Sequence, residues 1–100
     1  MVYQVLTQDE QDDIKVSFLL SQERDKYCHE LNLERYAAML EALEDGEWKT
    51  RVTKLHDETA GRLAEVDSII AATLPQMPAS ERIEAAKLRL KAAAAAARTS

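Results

Sequence analysis

The residues able to do covalent or metal chemistry are few: Cys28, the adjacent His29, and His56. Neighbouring positions on a helix point about 100° apart, so Cys28 and His29 do not converge on one ion. No CxxC or HExxH spacing supplies the remaining ligands of a tetrahedral zinc site. A thiol nucleophile at Cys28 needs a base within hydrogen-bond reach. His56 is the only distant imidazole, and a hairpin turning at residues 45 to 47 sets it opposite roughly residue 36, about two helical turns from Cys28. Cys28 is therefore expected to be a small buried apolar group, with His29 and His56 on polar faces.

Carboxylates are plentiful, and Asp9 with Asp13 and Glu30 with Glu34 stand four residues apart. Acid–base chemistry requires such a pair in a partly dry cleft that separates the two pKa values, and helical rods offer few clefts of that kind. These pairs read as solvated helix faces, relieved by Lys26 near Glu30 and Lys87 near Glu84. Gly46 and Gly61 are the only glycines, and neither lies in a phosphate-binding loop. Together these observations predict no catalytic residues, no cofactor, no metal and no small-molecule substrate.

The elements that position these residues are helical. Thr7-Gln8-Asp9-Glu10 has capping-box spacing, and the acids at 9, 10, 12 and 13 favour a helix N-terminus. No Pro or Gly interrupts the chain from Ile14 to Leu43, and Gly46 marks a stop. A helix over 8–44 would be about 55 Å long at ~1.5 Å per residue, with Asn32 as a candidate break. A second helix is predicted over 47–74, because Trp48, Val52, Leu55, Thr59, Leu63, Val66 and Ile70 share one narrow stripe. Gly61 lies outside that stripe, either as a helix-weakening residue or as a point of close backbone approach. Pro75 and Pro78 end this segment, and an Ala-rich third helix is predicted over 79–97, with Ala92 to Ala97 as a fraying tail. Residues 1–6 are an apolar arm, either frayed or laid across a neighbouring subunit.

The expected fold is all-α: a long antiparallel helical hairpin with a shorter third Ala-rich helix, in the manner of a three-helix bundle or coiled coil, forming a single domain over 1–100. One hundred residues leave room for no more.

Charge is distributed unevenly within the net of −5. Residues 1–45 hold eleven acids and four bases, whereas residues 76–100 hold two acids and five bases. The two ends can attract one another. An acidic front repels a phosphate backbone, and the basic end has no aromatic to stack on a base, so no nucleic-acid partner is expected. A single Cys forms no internal disulfide, no apolar run reaches the ~20 residues of a membrane span, and no basic leader precedes the acids. A cytoplasmic location without a membrane partner is the expectation.

The front helix carries apolar residues on two sides. Val16, Leu20, Tyr27 and Leu31 make one stripe, and Ile14, Phe18, Cys28, Tyr36, Met39, Leu40 and Leu43 lie broadly opposite. A small chain has few neighbours to cover both, so Val16, Leu20, Tyr27 and Leu31 form a candidate interface. Trp48 joins them if it stands open; otherwise it caps the end of the core. The leading function is that of a non-enzymatic structural or assembly protein, a homo-oligomer or a subunit of a larger protein complex. The alternative is an acidic regulatory module or chaperone covering a basic surface of a partner.

Overall fold

The computed structural model describes residues 5–99. The fold is all-α, as expected, with three helices and no strand among the described residues: α1 (Gln8–Ala42), α2 (Glu47–Thr73) and α3 (Ser80–Thr99). Residues 1–4 of the proposed arm lie outside the described residues, while Val5 and Leu6 are exposed.

Local chemistry sets the helix ends. At the start of α1, the Thr7 hydroxyl accepts the Glu10 amide at 3.1 Å, and Glu10 Oε1 accepts the Thr7 amide at 3.1 Å. The capping box is thus closed in both directions. α1 continues through Asn32 without a break. It ends two residues earlier than predicted, and Gly46, at φ +155°, lets the chain turn back. The Gly46 carbonyl then accepts both the Thr50 amide and the Thr50 hydroxyl at 3.1 Å. α2 gives way to one 3₁₀ turn over Leu74–Gln76, with Pro75 inside it. The helix boundary therefore falls where proline removes a backbone donor.

The chain forms two compact units. Gln22–Ala71 make one, an antiparallel hairpin of α1 and α2 in which Lys26 Nζ lies 3.0 Å from Asp67 Oδ1. Lys26 was expected to serve Glu30 on its own helix, but the cross-hairpin carboxylate takes it. In α2, Val52, Thr59 and Val66 are buried, and Lys49, His56, Leu63 and Ile70 are half-buried. In α1, Gln22, Lys26, His29, Leu33, Tyr36 and Leu40, followed by Leu43 just past its end, are half-buried at the same alternating spacing of three and four, with Leu31 and Asn32 beside them. This is the seam spacing of a coiled coil, and much of it is polar.

Among the described residues, the other unit combines 5–21 with 72–99. Its buried residues are Asp12, Val16, Leu19 and Ala86, supplied by α1 and α3. Ala86, a small side chain on α3, is fully buried. The run Ala92–Ala97 is helical and exposed throughout, consistent with strong propensity and little packing area.

Candidate functional site

The predicted mutual attraction of acidic front and basic end has a specific geometry. Asp12, only 1% exposed, accepts Arg82 Nε at 2.9 Å and Arg82 Nη2 at 2.6 Å on one carboxylate oxygen. Gln8 Nε2 donates to the other oxygen at 3.1 Å. Two turns along α3, Arg89 Nε donates to Asp13 Oδ1 at 2.9 Å, and Arg89 Nη1 lies 3.8 Å from Asp9 Oδ2. Arg89 Nη2 is 2.8 Å from Asp13 Oδ1 without a well-directed hydrogen bond, so Nε carries the directional contact. Glu10 is occupied by the Thr7 amide. All four front acids are therefore engaged within the chain.

Burial alone pushes the Asp12 carboxyl up, but hydrogen bonds from Gln8 and Arg82 and the charges of Arg82 and Arg89 outweigh it and hold the group below its ordinary range. The Arg89 guanidinium is raised in turn, chiefly by its hydrogen bond to Asp13. This is a structural clasp. Its carboxylates face arginines of the same chain.

The five candidate interface residues fare differently. Val16 is fully buried, so it belongs to the core and offers no surface to a partner. Leu20 and Leu31 are half-buried. Tyr27 is 65% exposed and Trp48 67% exposed. Trp48 therefore does not cap the core; its ring lies under the Arg51 guanidinium, 5.1 Å from the centroid. On the front of α1 the stripe that stands open is the other one. Ile14 and Phe18 are exposed and form a ridge between two shallow depressions. Asp13, Ser17, Ser21 and Leu90 line one side, and Lys15, Thr73, Gln76 and Met77 line the other.

A second open patch lies in the hairpin. Met39 immediately precedes Leu40 of the α1 seam, and Trp48 and Leu55 immediately precede Lys49 and His56 of the α2 seam. In an antiparallel pair these equivalent positions flank the same side of the seam. Met39, Trp48 and Leu55 are all exposed. The opposite flank holds Glu23, Glu30, Ala37, Thr53, Ala60 and Asp67, which are polar or small. The hairpin therefore has one apolar side near its turn.

Cys28 is exposed, against expectation, because it lies off the seam. His29 and His56 are half-buried in the seam rows and do not lie on the outer polar face. His56 Nδ1 is 3.2 Å from Asp57 Oδ1, its sequence neighbour. Among the described residues no group of three or more His, Cys, Asp or Glu side chains is placed to hold a metal ion, and no helix is long and apolar enough to cross a membrane. No protein-family model, curated protein or solved structure matches the chain.

Proposed function

We propose that the chain is a non-enzymatic helical assembly module that self-associates or occupies one place in a larger protein complex. One observation carries this reading: among the described residues, more large apolar side chains stand exposed than are buried. The buried apolar set is Val16, Leu19, Val52, Val66 and Ala86. Open to solvent stand Ile14 and Phe18 in one unit, and Tyr27, Met39, Trp48 and Leu55 in the other. Such clustered apolar surface favours a protein contact that removes it from water. The polar content of the hairpin seam points the same way, since Gln22, Lys26, His29, Lys49 and His56 contribute little apolar burial inside the chain.

The alternative of an acidic module covering a basic partner is less well supported, because Asp9, Asp12 and Asp13 already face Arg82 and Arg89. A basic partner has to displace α3 to reach them. The chemistry argues in the same direction for activity: Cys28 stands on an open helix face, and His56 occupies a seam position about two turns further along the hairpin.

Thermal unfolding over a range of protein concentrations tests self-association. Assembly that binds only folded chains raises the melting temperature by mass action, so a rise of several degrees over about a hundredfold increase in concentration is expected. A midpoint independent of concentration contradicts it.

A further inference from the structure

We propose that the partner on the hairpin is a second copy of this chain, docked antiparallel on the outer flank of α2 with a two-fold axis beside Leu55. This inference rests on the self-association proposed above and adds the surface and its symmetry. Trp48, Arg51, Leu55, Glu58 and Arg62 recur at intervals of three and four, so they form one continuous strip along α2. The strip lies beside the seam, with Trp48 67% and Leu55 44% exposed.

The order of charges along this strip is self-complementary in one direction only. From Glu47 the signs run negative, positive at Arg51, neutral at Leu55, negative at Glu58 and positive at Arg62. A second α2 laid parallel matches like with like. Reversed about a point between Lys54 and Leu55, the same helix brings Arg51 opposite Glu58 of the second copy, and Glu47, one position before the strip, opposite its Arg62. Two-fold symmetry makes each of these pairs twice, as an isologous contact requires. Among the described residues Glu58 and Arg62 have no ion-pair partner within the chain, so both remain available; Arg51 is shared with Glu47 through its own-chain contact. Such patterning sets orientation and rejects the wrong register.

The apolar part of the strip is Trp48 and Leu55, both exposed. Met39, on the same side of the hairpin, widens the apolar centre. An exposed Trp stacked with Arg is the kind of pair that dominates protein interfaces.

Charge exchange tests the register. Arg51→Glu and Glu58→Arg are each expected to weaken dimerisation by about tenfold or more, and the double variant to recover most of it, all with native helicity by circular dichroism. Oxidation of Leu55→Cys in a Cys28→Ser background is expected to give a disulfide-linked dimer, whereas Thr53→Cys in the same background, on the other flank, is not. A wild-type dimer indifferent to both single exchanges, with equal cross-linking at 53 and 55, overturns this surface and leaves self-association standing. A chain that stays monomeric at every concentration overturns both.

Discussion

Asp12 and Arg82, separated by 70 positions in the sequence, are joined by two hydrogen bonds of 2.9 and 2.6 Å to one carboxylate oxygen. The relationship ties α3 to the second turn of α1 and, with Arg89 on Asp13, turns the charge asymmetry of the chain into a structural element. A buried carboxylate is tolerated there because its oxygens also receive Gln8 and because two arginines supply the opposing charge.

The clasp is pH-dependent with a defined sign. Asp12 titrates below its ordinary value of 3.8 in the folded chain, so its contribution is complete above that value and is lost as pH falls through the lower folded-state value. Amide exchange in α3 is expected to accelerate in that acid window. Asp12→Asn is expected to lower the melting temperature at pH 7 and to remove much of the acid dependence of exchange in α3. An unchanged acid profile in the variant contradicts the clasp.

The capping box predicts a separate local effect. Thr7→Ala leaves the Glu10 amide without its acceptor and is expected to cost about 1 kcal/mol, read as a lower urea midpoint at constant slope. Exchange of the first-turn amides is expected to increase most. A loss spread evenly over the chain contradicts a local cap.

Gly61 is exposed on α2 and an added methyl meets open space. Gly61→Ala is therefore expected to stabilise the isolated hairpin by about 0.5–1 kcal/mol through backbone entropy, measured by urea unfolding at low protein concentration. Destabilisation under these conditions means that the backbone at 61 approaches something closely, the alternative reading of this residue that the structure does not support.

Cys28 offers a direct check on the seam. The thiol is exposed in the folded chain, so its reaction with a disulfide reagent at neutral pH is expected to be nearly as fast as in urea. A reaction slowed by orders of magnitude in the native state means that Cys28 faces inward and that the seam is rotated from the arrangement described.

Local chemistry made much of the fold readable. The Thr7–Glu10 pair, the stop at Gly46, Pro75 and Pro78 each act on their own few residues, and the stripe of α2 is apolar enough to show its inward side unaided. The inward side of α1 was harder to read. Leu19, Lys26, Leu33 and Leu40 recur every seven residues, as do Gln22, His29, Tyr36 and Leu43, but Gln22, Lys26 and His29 carry no hydrophobic signal. A straight helix also drifts ~20° per heptad from a strict seven-residue repeat, so over 35 residues one seam projects onto two apparent stripes. Val16 lies off both rows and is core in the unit that α1 shares with α3, while of Cys28 and Tyr36 only Tyr36 lies in the seam. The clasp was visible as unequal charge at the two ends, while the pairing of Asp12 with Arg82 depends on how α3 packs, which no local rule fixes.

The proposed function requires that the open apolar side chains be sheltered against another protein surface, first of all that of a second copy. Sedimentation equilibrium over a wide concentration range measures this most directly. The expected result is a mass that rises from 11.2 kDa toward about twice that value or a higher discrete multiple. A mass fixed at that of one chain up to the highest attainable concentration contradicts the claim.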